Sequence, residues 1–365
     1  MNGAPVLMVF VMLVPKYWAS SKLRHRADKK QVTLQRWGWS DVSVEQAQRH
    51  ADERVRAAMD VLLEAWPQVS VPKREPKVAY NGAEGVPIRE EIIEQQGPDV
   101  VTRNGYGALC LNTPDVMFVD IDQEWIDNPP ASKLWPRLLL AGLLALAWSA
   151  WWASTSPSAL DPYARCAGVP GFMDYVGVGL RGLWAWVWRT IVILVVLHWL
   201  NRLRWGLFVA SQGGLMGMAR KALQTHSPQG HWAIYKTPKG ARLLALHRTF
   251  DPSSEESGQL MKDLWADPVY VAMCRRQGCF RARVSAKPWR IPGVERMRGP
   301  VWPVEGEALA RRMRWVNEYN AVHHGFAACA FIEVVGNTAA LDHRADAMRA
   351  WHDELSQSSS GKPLA

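Results

Sequence analysis

Two strongly apolar segments constrain this chain more than any other feature. Leu138 to Ala153 reads LLLAGLLALAWSAWWA and carries no charge. Leu183 to Leu200 reads LWAWVWRTIVILVVLHWL and carries only Arg189. A bilayer span takes roughly 20 mostly apolar residues, with about 17 to 25 as the working range. With tolerated end residues, spans of about 135–154 and 183–202 are expected. Tryptophans mark the segment ends: Trp148, Trp151 and Trp152 close the first, and Trp184, Trp186 and Trp188 open the second. In a hairpin those ends share one interface, where an indole buries its ring and hydrates its N–H. The sequence therefore predicts a transmembrane helical hairpin over 133–205. A buried hairpin inside a large soluble core is the competing reading, and it suits the tryptophan placement less well.

Charge supplies an orientation. Lys133 and Arg137 precede the first segment, and Arg202, Arg204, Arg220 and Lys221 follow the second. The loop Thr155 to Gly182 balances Arg165 and Arg181 against Asp161 and Asp174. Positive-inside bias then predicts a multi-pass protein of the inner (plasma) membrane, with both termini cytoplasmic and the loop outside. Arg189, near the tryptophan-marked end, is expected to snorkel to the headgroups.

Outside the hairpin, roughly 290 residues remain, enough for one large domain. Strand and helix patterns alternate on both sides, so one cytosolic α+β domain with a mixed sheet is expected from both flanks. Its halves would be 1–132 and 206–356, with 357–365 a loose tail. The net charge of +9 favours an anionic membrane surface or a phosphate-bearing partner. Five cysteines, an odd number, speak for reduced thiols rather than a disulfide framework.

In chain order, Ala4 to Val14 reads as a buried strand, with an uncleaved anchor as the alternative. Lys16 to Lys30 reads as a basic connection and Gln31 to Arg36 as a second strand. Ser43 looks like the N-cap of a helix whose stripe is Val44, Ala47, Ala51, Val55, Met59, Leu62 and Leu63. Val71 to Gly85 is a turn-rich loop and Ile88 to Gln96 a short helix ended by Gly97-Pro98. A meander follows: Val100 to Arg103 and Tyr106 to Leu111 about an Asn104-Gly105 turn, then Val116 to Asp122. Beyond the hairpin come a helix over Leu207 to Leu223 and a strand pair, His231 to Lys236 with Ala241 to Thr249. Helices at Ser254 to Trp265 and Pro268 to Gln277 precede a strand at Cys279 to Ser285. Gly306 to Tyr319 is helical, Phe326 to Val335 a strand, and His343 to Leu355 a last helix.

Three constellations could carry chemistry. Asp120 and Asp122 share one face of a strand, and converging carboxylates attract a divalent cation. Lys236, Lys239, Arg242, His247 and Asp251 lie on the post-hairpin strand pair; Lys239 and Arg242 could grip phosphate, against a reading as exposed hairpin charges. Arg281, Arg283, Lys287 and Arg290 fall within the basic stretch 275–298, which suits anionic lipid or a nucleic-acid backbone. Cys274 and Cys279 lack a partner pair at zinc-ligand spacing, so zinc is not expected. No P-loop, GxGxxG or GxSxG is present, and no motif decides whether the chain is an enzyme.

The strings RWGWSDVS, REPKVAYNGAEGVPIREEI, CLNTPDVMFVDID, CFRARVSAKPWR and GKPLA resemble those of an uncharacterised family of bacterial two-helix membrane proteins. That resemblance implies no activity. The order of parts is also similar to the archaeo-eukaryotic primase-polymerase superfamily: a DxD ending a strand, a basic hairpin, then a later Asp. It implies Mg²⁺ or Mn²⁺ on Asp120 and Asp122, with Asp251 as third carboxylate. Where that superfamily has a small-residue-x-His motif, Arg242 stands here, and His247 lies further along. The expected function is a membrane protein anchoring a cytosolic domain that binds or scaffolds. The alternative is a divalent-metal-dependent enzyme acting on nucleotides or nucleic acid through Asp120 and Asp122.

Overall fold

The computed structural model describes residues 14–27, 30–64, 71–78, 82–127, 134–155 and 172–365. The strand expected within Ala4 to Val14 lies outside them except for Val14, as does most of the loop expected between the apolar segments. Contacts divide the chain into two units, 1–123 with 219–365, and 124–218.

The first described elements are paired antiparallel strands, β1 (Tyr17–Ala27) and β2 (Lys30–Ser40). The basic connection expected over Lys16 to Lys30 is thus a strand. Ser21, Leu23 and His25 turn inward while Lys22, Arg24 and Arg26 are exposed, a period of two that the run of cations hid. Helix α1 (Val44–Glu64) packs on this pair. Gln46 N donates to Ser43 Oγ at 3.3 Å, and Ala47, Ala51, Val55, Met59 and Leu62 are buried; Val44 and Leu63 are exposed. A Cβ at Gly38 would lie 2.2 Å from Ala51 N, so only glycine admits the helix this closely.

Short strands β3 (Lys77–Val78) and β4 (Gly82–Ala83) pair within the expected loop. The helix expected over Ile88 to Gln96 is instead strand β5 (Glu91–Gln96), paired with β6 (Asp99–Arg103) about Gly97 at φ +57°. A β-branched Ile92-Ile93 pair and an available partner strand outweigh a weak helical period. Strand β7 (Leu109–Thr113) pairs with β6 across a loop longer than the expected two-residue turn, closed by Asn104 N to Ala108 O at 2.9 Å. The meander stops there, because β8 (Phe118–Asp122) pairs elsewhere.

The second unit is helical: α2 (Gln123–Asp127) at its edge, α3 (Leu134–Thr155) and α4 (Phe172–Ser211). Among the described residues only Leu183–Ser211 is long and apolar enough to cross a membrane, with mean hydropathy 1.7; the apolar part of α3, Leu138–Trp152, is shorter. The helices pack antiparallel: Trp205 Nε1, late in α4, donates to Ile126 O ahead of α3, and Trp186 Nε1 to Gly142 O at 3.4 Å. Arg189 lies at the tryptophan-marked end of the helix pair. It donates to Ser149 Oγ at 3.0 Å, between the rings of Trp148 and Trp152. Gly213 and Gly214, both at positive φ, separate α4 from α5 (Gly214–His226).

The remaining elements agree in kind with the sequence reading. They are β9 (His231–Thr237), β10 (Gly240–Ala245), α6 (Glu255–Asp263), α7 (Pro268–Gln277), β11 (Phe280–Arg283), α8 (Gly306–His323), β12 (Ala330–Gly336) and α9 (His343–Ser356). Two four-stranded antiparallel sheets result, ordered β12-β9-β10-β8 and β11-β7-β6-β5. Each sheet takes strands from both sides of the helical unit in sequence, giving a mixed α+β architecture. Trp232, Ile234, Tyr235 and Phe118 are fully buried on the first sheet, Leu111 and Phe280 on the second. The tail is not loose: Leu364 bridges Ala327, and Ala365 is buried with Ala286, Ile291 and Tyr319.

Candidate functional site: a cationic cavity between two sheets

The β9–β10 turn brings Gly240 opposite Asp122 and Arg242 opposite Asp120 on β8. A Cβ at Gly240 would sit 1.9 Å from Ile121 O, so glycine is what allows the strands to close here. Arg242 grips Asp120 with two donors, Nε to Oδ1 at 2.7 Å and Nη2 to Oδ2 at 3.1 Å. Its Nη1 donates to Arg283 O on the other sheet at 2.8 Å and lies 3.3 Å from His352 Nε2. Burial alone would push this guanidinium down, but the Asp120 charge and hydrogen bonds outweigh it and hold it above its ordinary value.

A second bridge joins the sheets. Tyr270 Oη, on α7, donates to Phe118 O at 3.0 Å and accepts from Arg281 N at 3.3 Å. The Arg281 guanidinium is paired with Glu90, both side chains being buried. Arg281 and Arg283 are two residues apart on β11, and both line the cavity between the sheets.

That cavity measures about 140 Å³. Lys239, Arg242, Arg281, Arg283, Lys287 and Arg290 all line it, together with Asp120, Asp122, Glu90 and Tyr106. Every cation singled out from the sequence for phosphate or an anionic surface thus reaches one place, and the DxD pair reaches it as well. Arg242 and Arg281 are neutralised by Asp120 and Glu90. Lys239, Arg283, Lys287 and Arg290 leave an excess of positive charge over Asp122 and Asp267, and Asp267 caps α7 through Val269 N at 2.9 Å. Arg281 Nη1 is buried with no hydrogen-bond partner. A buried donor left unmade costs about 1–3 kcal/mol, more when charged, and an anionic oxygen would relieve it. Burial, then the charges of Arg283 and Arg290, hold Lys287 below the ordinary lysine range. Burial, then Arg283, lowers Arg290, and burial pushes the Tyr106 hydroxyl up to about 12.

The metal set expected from Asp120, Asp122 and Asp251 is not assembled. Phe250 N bonds to Asp115 O, three residues before β8, which places Asp251 towards the opposite end of that strand from Asp120 and Asp122. There its carboxylate accepts from Ser253 N at 2.7 Å, in the turn before α6. Among the described residues no three His, Cys, Asp or Glu side chains form a group able to hold a metal ion. His247 packs against Trp232 and Phe250, away from the cavity, and Lys236 is exposed. Exposed hairpin charge describes Lys239 but not Arg242, which is 2% exposed. Nor is 275–298 one surface strip: Arg275 and Arg276 are exposed on α7, Arg281 is buried, and Arg298 pairs with Glu295. Cys110, Cys274, Cys279 and Cys329 are free and buried.

Sequence reasoning missed Glu90, Tyr106 and Tyr270. Glu90 lay in the stretch misread as a helix; its usable signal was Arg281, an arginine on the buried face of a strand that needs a carboxylate. Tyr106 is positioned by Asn104, whose Oδ1 accepts from Tyr106 N at 3.2 Å and Ala108 N at 3.1 Å, and by Gly107 at φ +102°. Comparison with protein-family models, with curated proteins and with solved structures found no match.

Proposed function

We propose that the α/β unit is a binding module for a small phosphate-bearing anion, on a chain anchored in the membrane by its helical unit. The observation that carries the binding reading is the meeting of six cations around one cavity, with the orphaned Arg281 Nη1 among them. Charges fixed in a partly buried site act through a lower effective dielectric than water, which strengthens their hold on an anion. Anchoring is supported by Leu183–Ser211, whose most apolar window has no buried residue, and by outward-facing Trp184, Trp188 and Trp199. The tryptophan and charge pattern places the α/β unit on the cytoplasmic side in this reading.

Full-length protein in detergent, titrated calorimetrically with inorganic pyrophosphate, tests the binding reading. Saturable binding is expected, weakened at least about tenfold in Lys239→Ala/Arg290→Ala, since two cations at ~1 kcal/mol each exceed the 1.4 kcal/mol of one decade. Absence of binding, or equal affinity in the variant, would remove the reading.

A further inference from the structure

Three cations of the cavity, Lys239, Lys287 and Arg290, make no side-chain hydrogen bond or ion pair with any described residue, and of its two lysines Lys287 is half-buried while Lys239 is exposed. Arg242 and Arg281 are committed to Asp120 and Glu90, and Arg283 donates Nη1 to the carbonyls of Ser285 and Ala365. Arg298, Arg311 and Arg349, elsewhere in the fold, have carboxylate partners. Lys287 Nζ makes no hydrogen bond or ion pair with any described residue; it stands 5.6 Å from the centre of the Trp289 ring, which in turn meets Tyr106 edge-on at 5.0 Å. Its stem is half-buried and its amine lines the cavity. The backbone that carries it is firmly held. Ser285 Oγ accepts from Leu109 N at 2.8 Å and meets Tyr319 Oη at 2.7 Å, Tyr319 Oη donates to Ala286 O at 2.6 Å, and Arg290 N closes a 3-10 turn on Lys287 O at 2.9 Å.

We propose that Lys287 is a nucleophilic amine that forms an imine with the carbonyl of a small phosphorylated aldehyde or ketone bound in the cavity. The proposal rests on reading the cavity as an anion site and names the substrate class. A lysine becomes nucleophilic at neutral pH when desolvated or set beside other cations, because its lone pair is then free in a larger fraction of molecules. Both conditions hold here: burial, then the neighbouring Arg283 and Arg290, favour the neutral amine and outweigh the opposing charges of Asp122 and Asp120. The same guanidinium groups attract the phosphate, which brings the carbonyl carbon to an amine on a firmly held backbone that no described residue engages. The Nζ lone pair forms a C–N bond while the C=O π pair moves to oxygen, which takes a proton. The resulting carbinolamine loses water to give the imine. One amine and one carbonyl become one imine and one water, protons exchange with solvent, and nothing is oxidised or reduced.

The test treats full-length protein in detergent with glycolaldehyde phosphate, then sodium borohydride, which reduces an imine to a stable secondary amine. Peptide mass mapping reads the modified lysine. One adduct is expected, on Lys287, formed at neutral pH at least tenfold faster than at Lys236, Lys239 or Lys262. Pyrophosphate should suppress it, Lys287→Arg should abolish it, and unphosphorylated glycolaldehyde should show no preference among lysines. Pyrophosphate titration of the same samples reports the cavity independently. Bound pyrophosphate with adducts scattered over several lysines, or none, overturns the Lys287 proposal and leaves the anion site standing. Absence of pyrophosphate binding removes both.

Discussion

In residues 124–218, tryptophans and leucines face outward: Trp184 is 72% and Trp199 65% exposed. In the other unit arginines face inward: Arg242 is 2% and Arg281 6% exposed. Each arrangement costs free energy in the wrong medium. Exposed indoles and leucines forgo about 25 cal/mol for every Å² of apolar surface left in water. Buried guanidinium groups are tolerable only with charge partners in good geometry, which Asp120 and Glu90 supply. Among its described residues the helical unit has many apolar side chains to cover, and its cation Arg189 is held by Ser149 and two tryptophans. The other unit buries Trp232, Tyr235, Phe118 and Phe280 in its sheets and holds instead a cluster of like charges. The two units therefore point to different partners, an apolar medium for one and an anion for the other.

The sharpest break in that contrast would come from the middle of α4. Val195 and Val196 are half exposed there. Replacing both by lysine should oppose membrane insertion by about 6 kcal/mol, at roughly 2.5–3.5 kcal/mol per central lysine. The protein should leave the carbonate-resistant membrane fraction while pyrophosphate binding by the α/β unit persists. Unchanged fractionation, or a wild-type protein soluble without detergent, would mean the outward-facing apolar residues serve another purpose.

Glu90→Gln addresses the inward-facing arginines. It strands the Arg281 charge between the sheets and should cost about 3–5 kcal/mol, read from denaturant unfolding. A loss under about 1 kcal/mol would show that water or another group reaches Arg281, and would weaken the case for its orphaned Nη1.

A smaller effect is expected at His323, stacked on Tyr319 at 4.7 Å and tilted against His324 at 3.9 Å. Burial, then the charges of His324 and Arg103, lowers its pKa to about 4. The folded pKa lies below the unfolded value of about 6.5, so the unfolded chain binds more protons between the two. Stability from the neutral ring is fully present above pH ~6.5 and is lost as pH falls towards ~4, on the order of 3 kcal/mol before solvent screening reduces it. His323→Gln should flatten that part of the melting-temperature profile. An identical slope in wild type and variant would place the titration elsewhere.

Legibility differed along the chain for physical reasons. Helix α1 was readable because its cap and apolar stripe are both local. Helices α6 and α7 were readable from Ser254, Asp267 and Pro268 at their starts. Strand β1 was hidden by its exposed lysine and arginines, and β5 by a run of six residues too short to separate the two periods. The β8 partner could not be read locally, since Asp120 meets Arg242 across 122 residues of sequence that include the helical unit. The cations of the cavity could be named as anion-binding types. That Lys239, Arg242 and β11 would share one cavity with the β6–β7 loop depends on the meeting of two sheets.

By itself, the sequence determined helix α1 and the kinds of element that follow the two apolar segments, because periodicity, caps and hydropathy act over a turn or two of chain. It also determined which residues carry the charge. Only the tertiary structure decided that Asp120 pairs with Arg242 instead of joining Asp251, and that Glu90 neutralises Arg281. It alone brought Lys287 into a cavity with Asp120 and Asp122 but out of ion-pair contact with any described carboxylate. The physical reason is that a charge's role follows from its partner and its burial, and both are set by strands far apart in sequence.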